Sequence, residues 1–420
     1  MRGRLDLDDG KPEAVQARYR ALVEDGGEAG DWAYAWRSGI NRGGFRAVDF
    51  LMREIVDTGK CVGCAACVTI CPTDVFDYID EQPVDTRTDA CVLCVLCADV
   101  CPVLRPADPD QPATLKFREP LQDDGYGLYS YELFARSTRS EIVEATQDGG
   151  VVSVLLQHQL ETGEIQGAIL GDVEEDNPQI GFARLARTAE EIMACAGSRY
   201  TFSPNTLALT EAMEQGVGPV AVVGVPCQVN GVRQQQHSTI RMAINRWYRD
   251  NVTLVIGLFC SEAFTHESVT ALAERFDVDP SAIENINIKG KVIVRITDRE
   301  TETLSLKQFR KYARPACLYC TDYAADLADI GVGGIGRDDW TYVVVRTEAG
   351  HKALQACIDA GRLETAKVSD FPKSKELLTR LSQQKANRPL PALMPTLQER
   401  EATGDLDPKA FGKKLGEAKA

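Results

Sequence analysis

The sequence predicts a mixed protein, α+β / α/β in class, with a helical N-terminal extension, a small cysteine-rich module and a larger α/β domain. Three observations predict it. Eight of the fourteen cysteines fall in two copies of one short pattern. Beyond them, short apolar runs alternate with helix-like segments, the rhythm of an α/β sheet domain. The ends of the chain are polar and lack such alternation. The expected boundaries are 1–58 for the helical extension, 59–115 for the module, 128–375 for the α/β domain and 376–420 for a polar C-terminal arm.

In the extension, Pro12–Val23 and Phe45–Val56 have helical periodicity, and Trp32 and Trp36 stand one turn apart as packing residues. The module follows. Cys61–Pro72 reads CVGCAACVTICP and Cys91–Pro102 reads CVLCVLCADVCP, the two offset by 30 residues. A [4Fe–4S] cube needs four thiolates at its iron corners. The run C-x2-C-x2-C supplies three from one loop, and a fourth cysteine before proline crosses to the neighbouring cube in bacterial-ferredoxin-like modules. Cys61, Cys64 and Cys67 are therefore expected to bind one cluster with Cys101, and Cys91, Cys94 and Cys97 the other with Cys71. Zinc takes four ligands in a tetrahedron, usually as two separated pairs, and two complete runs ending in Cys-Pro fit it poorly. Two cubes held side by side make a short wire for single electrons. Val103–Thr114, with Pro106, Pro109 and Pro112, reads as a linker.

In the α/β region, Gly167–Val173, Pro219–Val225 and Thr253–Phe259 read as buried strands. Gly150–Glu161 reads as a helix closed by Gly163. Thr188 and Glu191 form a capping box, and Ser203-Pro204 opens a helix with proline in its first position. Lys291–Leu306 alternates like a hairpin, and Thr341–Arg346 is a β-branched strand before a helix from Ala349 to Ala360. The tail from 376 reads as an extended or partly disordered arm.

A third cysteine group lies in this domain. Cys227 and Cys260 each follow a strand, so parallel strands would deliver both thiols to one carboxyl edge, where open α/β sheets build their sites. Cys317 and Cys320 form a CxxC. The four make another [4Fe–4S] site, or the CxxC is a redox dithiol or half a zinc site, or the thiols are core residues. Cys195 and Cys357 read as core.

Composition bounds the function. A net charge of -15 argues against nucleic acid and against anionic lipid as partners. Val220–Val225 and Leu254–Phe259, the longest apolar runs, are too short to span a bilayer. Met1–Gly10 has no apolar signal core. The expected compartment is the cytoplasm, where many cysteines mean metal or redox chemistry. His158, His237, His266 and His351 sit in polar, helix-like contexts and read as surface residues.

Seven segments in a fixed order carry a resemblance: Gln147-Asp148-Gly149-Gly150-Val151-Val152, Gly197-Ser198-Arg199-Tyr200, Gly224-Val225-Pro226-Cys227-Gln228, Gly257-Leu258-Phe259-Cys260, Ala316-Cys317 through Cys320-Thr321-Asp322, Ala328-Asp329-Ile330-Gly331-Val332-Gly333, and Arg346-Thr347-Glu348. With them the large domain resembles the beta subunit of coenzyme F-420-reducing hydrogenase and F-420-dependent formate dehydrogenase. The resemblance implies an FAD site, favours a third cluster on Cys227, Cys260, Cys317 and Cys320, and implies two-electron exchange with a deazaflavin. A ferredoxin-like module is often fused at one end of this family, as here.

For the FAD, Gly149 and Gly150 open a helix whose first amides suit a pyrophosphate, with Ser153 in the same turn. Ser198, Arg199 and Tyr200 offer a hydroxyl, a cation and a flat ring. Gly224, Pro226 and Gln228 shape a tight strand-to-helix turn. No GxGxxG is present, so a nicotinamide site is not indicated. The implied activity is that of an iron–sulfur flavoprotein oxidoreductase. It passes electrons between reduced F-420 at FAD and clusters leading to ferredoxin, or to a redox partner such as the catalytic subunit of a larger complex. Hydride transfer to the flavin asks for no general acid, and no acid–base residue is assigned. One alternative is a ferredoxin-dependent flavoprotein reductase of its own small or pigment-like substrate. The regular cysteine repeat departs from the pigment-reducing branch of the family. Another is a non-catalytic wiring subunit. Lys307, Arg310, Lys311 and Arg314 could receive an anionic coenzyme tail, although such a run is commonly a solvated face.

Overall fold

The computed structural model describes residues 47–104, 115–174, 177–238, 240 and 242–389. The expected helix at Pro12–Val23, the Trp32–Trp36 pair and residues 390–420 lie outside them.

The described chain opens with α1 (Ala47–Leu51), continued by a π turn at Met52–Val56. Its apolar face (Ala47, Val48, Leu51, Ile55) packs into one core with the cysteine loops. Each loop ends in a one-turn helix, α2 (Ala66–Thr69) and α3 (Leu96–Asp99). Between them lies an antiparallel hairpin of β1 (Asp77–Ile79) and β2 (Gln82–Val84). The repeat is also a repeat of backbone strain. Gly63 and Leu93 have φ of 70° and 58°, and Ala65 and Val95 have 57° and 58°. Three of these four carry a Cβ in a region that L-residues avoid, so the surrounding fold must enforce the turn.

In chain order the large domain runs β3 (Tyr131–Ser137), α4 (Ser140–Ala145), α5 (Val151–Glu161), β4 (Gly167–Glu174), β5 (Asn177–Ala186), α6 (Ala189–Ala194), α7 (Ala208–Glu214), β6 (Val220–Gly224), α8 (Pro226–His237), α9 (Ala243–Asn251), β7 (Val252–Leu258), α10 (Glu267–Phe276), β8 (Ile283–Ile288), β9 (Val292–Ile296), β10 (Glu302–Leu304), α11 (Leu306–Phe309), β11 (Ile330–Gly333), β12 (Thr341–Val345), α12 (Glu348–Asp359), β13 (Leu363–Ala366) and α13 (Pro372–Ala386). Eight strands form one sheet in the order β13-β3-β12-β11-β7-β6-β4-β5. Its centre, β4-β6-β7-β11, is parallel. Strands covered on both faces read as apolar runs, as VAVVG of β6 does, each of its residues buried. The antiparallel strands β5, β12, β3 and β13 complete the flanks. Strands β8, β9 and β10 make a separate three-stranded sheet with its own core around Phe264, Leu272 and Phe309.

The expected strands, the Thr188–Glu191 capping box and the helix closed by Gly163 are all present. Four expectations are corrected. Pro204 is the cap of a 3-10 turn, Asn205–Leu207, that runs into α7; its ψ of 58° is not helical. The Lys291–Leu306 hairpin gains β8 as a third strand, and Leu306 already begins α11. The expected arm from 376 begins inside α13, which buries Leu378, Ser382 and Lys385. His158 is buried, burial and Arg362 hold its ring below the ordinary histidine range, and the Nδ1 of His351 meets the Tyr131 hydroxyl at 2.9 Å.

Candidate iron–sulfur sites and the sheet edge

Cys61, Cys64, Cys67 and Cys101 line one small cavity, closed by Leu51, Ile55 and Pro83. This is the set expected for the first cube, crossing ligand included. Cys97 is acted on chiefly by burial and then by Cys94, Cys91 and Cys71, the set expected for the second. Backbone amides point at the sulfurs: Gly63 N–H to Cys61 Sγ, Leu93 N–H to Cys91 Sγ and Val75 N–H to Cys71 Sγ, each at 3.4 Å. Burial pushes these thiols up, Cys101 to about 11. Thiols in such dry sites ionise only against a strong cationic partner, as iron provides. The four sulfurs of the first set line one shared cavity. Among the described residues no three His, Cys, Asp or Glu side chains are gathered for one ion. A four-iron cube, with ligands at separate corners, fits that spread.

The third group also comes together. Cys227 lies in the first turn of α8 after β6, Cys260 follows β7, and Cys317 and Cys320 belong to the 3-10 turn Pro315–Tyr319 and its end. Burial raises Cys227 well above the ordinary thiol range, and Cys320, Cys64, Cys260 and Cys317 add to it. Ala263 N–H donates to Cys317 Sγ at 3.4 Å. Two cations that sequence reasoning missed close the site from α13 and its end. Lys385 Nζ donates to Cys260 O at 2.7 Å, and Arg388 Nη1 to Cys317 O at 3.0 Å. Lys385 is only 4% exposed. Burial alone would lower its ammonium; Cys260, Cys320 and Asp322 outweigh that and lift it to about 12. Only the adjacent leucines of α13 hint at burial, and nothing in the sequence links that helix to the thiols. Cys357 lies in the sheet core and Cys195 packs against it, as expected.

Cys227, Gly231 and Gln235 are spaced four apart on α8, so they share a face. That face lies on the first cysteine loop. A Cβ at Gly231 would stand 3.1 Å from Ala66 Cβ and 3.3 Å from Cys64 Sγ. Gln235 Nε2 donates to Ala66 O at 3.1 Å and Thr69 Oγ1 at 2.7 Å. The Tyr248 hydroxyl donates to Thr69 O at 3.0 Å, and the Thr206 hydroxyl to Cys64 O. The expected basic face is corrected here. Arg314 is buried and ion-paired with Glu81 at 2.9 Å, and Arg310 pairs with Glu262 at 2.7 Å. Neither is a free cation for an anionic tail.

The residues expected to hold FAD line the same carboxyl edge. Gly149 abuts β3 and β12: a Cβ there would be 2.5 Å from Ala135 O and 2.9 Å from Thr341 N. Gly150 caps α5 with a φ of 73°, and Ser153 is buried in the turn that follows. Tyr200 packs against the core of the three-stranded sheet, and its hydroxyl accepts Ile288 N–H at 3.3 Å. Burial raises Asp148 to about 6, Lys289 opposing and Asp338 and Asp339 adding. Asp148 Oδ1 and Arg337 Nη1 are buried without a hydrogen-bond partner. The first amides of α5 suit a phosphate-bearing cofactor, while the Arg337 guanidinium lies against the Trp340 and Phe371 rings. Other expected residues are engaged locally. Arg199 Nη1 donates to Ala196 O at 2.9 Å. Gln228 accepts Val225 N–H at 3.1 Å and donates to Ser203 O at 2.6 Å, and its side chain packs on Gly224. Pro226 is buried in the first turn of α8, and Ser198 is half-buried. A separate hollow of about 680 Å³, lined by Glu132, Lys375, Arg380 and Gln383 among others, lies between β3 and α13 and holds none of these residues.

A doubled four-cysteine module fused into the flank of a mixed α/β sheet defines a class, the iron–sulfur electron-transfer proteins with a second redox domain. Comparison with known proteins narrows it. The 4Fe-4S dicluster domain matches residues 53–118. The N-terminal and C-terminal models of the coenzyme F420 hydrogenase/dehydrogenase beta subunit match 133–210 and 218–370. The chain belongs to the coenzyme F420 hydrogenase/dehydrogenase beta subunit family. It is 35% identical over 268 residues to the coenzyme F420 hydrogenase subunit beta of Methanothermobacter thermautotrophicus, covering 62% of this chain and 93% of that one. It is 32% identical over 319 residues to the coenzyme F420-dependent sulfite reductase of Methanocaldococcus jannaschii, covering 73% of this chain and 47% of that one. A solved chain of the F420-reducing [NiFe] hydrogenase complex from Methanosarcina barkeri superposes with a TM-score of 0.59 at 32% identity, covering 68% of this chain and 94% of that one. Among the described residues no helix is long and apolar enough to cross a membrane.

Proposed function

We infer that this chain is the flavoprotein subunit of an F420-linked oxidoreductase, exchanging electrons between reduced coenzyme F420 at FAD and three [4Fe–4S] clusters that lead to a partner chain. The observation that carries the reading is α8. One rigid helix holds Cys227 of the third group at its start and lies flat on Cys64 of the first loop one turn later. Two cysteine sites brought that close on one element suit a relay, and the names of the relatives supply the carrier at its far end.

Cys61, Cys64, Cys67 and Cys101 would hold one cluster, Cys91, Cys94, Cys97 and Cys71 the second, and Cys227, Cys260, Cys317 and Cys320 the third. When bound, FAD supplies the exchange between paired and single electrons, and the clusters carry single electrons. The chain's own residues supply position and dryness. The α5 amides would receive the pyrophosphate, Gly149 and Gly150 keep that entrance narrow, and Tyr200 would offer a flat ring. Lys385 and Arg388 close the third site against water.

The test is anaerobic purification followed by rapid mixing. The expected result is released flavin near one per chain, iron near four per cluster, and fast bleaching of the flavin by reduced F420. Bleaching by reduced ferredoxin alone would instead mean a ferredoxin-dependent reductase. Full iron without flavin would mean a wiring subunit.

A further inference from the structure

Arg314 leaves the turn that carries Cys317 and enters the cysteine module. Its Nη1 donates to Val62 O at 2.8 Å and its Nη2 to Glu81 O at 3.0 Å. Its Nε pairs with Glu81 Oε2 at 2.9 Å, and its guanidinium lies 3.9 Å from the centre of the Phe202 ring. At 7% exposed, it is a buried cation, and arginine keeps its charge under any condition in which the protein folds.

Two observations give this cation a purpose beyond fastening two domains. The first lies in the repeat. Gly63 and Leu93 are equivalent positions with the same left-handed backbone. A Cβ at Gly63 would stand 2.6 Å from Arg314 Nη2 and 2.6 Å from Glu81 O. The glycine leaves room for a guanidinium over the first loop, and the second loop fills the same place with leucine. The second observation is placement. The bond to Val62 O seats the fixed charge of Arg314 on the stretch of the first loop between Cys61 and Cys64.

Resting on the cluster assignments above, we propose that Arg314 is a positioning residue that raises the reduction potential of the first loop's centre. A fixed positive charge in a dry site stabilises the centre that has gained an electron, and net charge and burial are among the levers that set such potentials. That charge favours arrival of an electron from the α/β domain on the centre held by Cys61, Cys64, Cys67 and Cys101, the loop that α8 touches. Glu81 moderates the effect by neutralising part of the same charge.

The experiment is an EPR-monitored redox titration of the full, anaerobically purified chain as wild type, Arg314→Gln, Arg314→Lys and Glu81→Gln, with iron measured in each. In Arg314→Gln one of the two midpoints of the repeat falls by about tenfold in the electron equilibrium, about 59 mV for one electron, while the other holds. In Glu81→Gln the same midpoint rises, and Arg314→Lys stays near wild type. A purely structural fastener would not give shifts of opposite sign from the two halves of one ion pair. Unmoved midpoints at full iron, equal movement of both, or a fall in Glu81→Gln overturns the proposal. If Arg314→Gln loses its iron, the sign of the Glu81→Gln shift decides. Failure of the underlying assignment shows separately, as a wild-type protein without paired [4Fe–4S] signals, and the proposal falls with it.

Discussion

At the scale of single residues, Asp148 shows what the sheet edge demands. Its carboxyl is raised to about 6 by burial first, and then by Asp338 and Asp339 against the pull of Lys289, which lies 3.9 Å away. A carboxyl whose folded value stands above its ordinary one favours the fold at low pH and loses that contribution as pH rises through about 6. Asp148→Asn removes the loss. The variant is expected to gain about 1–3 kcal/mol over wild type at pH 8, since one pKa unit corresponds to 1.36 kcal/mol, and about half as much at pH 5, where the carboxyl is ionised in the unfolded chain but not in the folded one. Thermal unfolding at the two pH values checks this, and a gap independent of pH would rule out the titration of Asp148 as its source. The cluster cysteines are legible in the sequence because ligand spacing is written along the chain. Asp148 stands in a recognisable motif, but Lys289, Asp338 and Asp339 reach it from distant loops that no local pattern connects. Gln228 reads as a cofactor contact because it follows a strand; the fold spends its amide on Val225 and Ser203.

Among the elements, α8 and α13 divide the work around the third thiol group. The face of α8 is legible in part: Cys227 after an apolar strand is readable, but Gly231 looks like a weak point in a helix, not a place where backbone meets a sulfur. Gly231→Leu inserts a side chain where even a Cβ is tight against Ala66 and Cys64. It should cost about 1–3 kcal/mol by overpacking and slow electron passage from the third group to the repeat, with iron content kept. Freeze-quench EPR after mixing with a reductant reads the order in which the centres fill; unchanged timing would show that the contact is not on the route. The helix α13 reads as an arm because its sequence is mostly polar, and the residues it buries include a serine and a lysine. Its buried lysine is explained by what it meets, the carbonyl of Cys260. Lys385→Met keeps the bulk and removes the charge, leaving that carbonyl without its donor at a cost of about 1–3 kcal/mol. Iron is expected to drop from about twelve toward about eight per chain, with the signals of the repeat intact. Full iron in the variant would reduce α13 to a packing element.

At the scale of the whole molecule, the cysteine module and the sheet domain share one core. Ile70, Val75, Leu96 and Val100 of the cysteine module belong to the same buried cluster as Val222, Val229 and Val255 of the sheet domain. The seam also carries buried polar bonds: Gln235 to Ala66 and Thr69, Tyr248 to Thr69, and Arg314 to Val62 and Glu81. The sequence marks a module boundary by its change of pattern, but it says nothing of how much surface the two parts share. Shared apolar surface cannot be exposed on one side alone, because opening the seam uncovers both partners and strands the buried donors and acceptors between them. The module and the sheet should therefore unfold together. In denaturant under argon, the visible absorbance of the iron–sulfur centres and the far-ultraviolet circular dichroism of the sheet are expected to share one midpoint, the coincidence that marks a single cooperative unit. If the visible band bleaches well before the dichroism changes, the repeat is an independent module that only leans on the sheet. The rigid distance from Cys227 to Cys64, on which electron relay between them depends, would then be set by docking and not by folding.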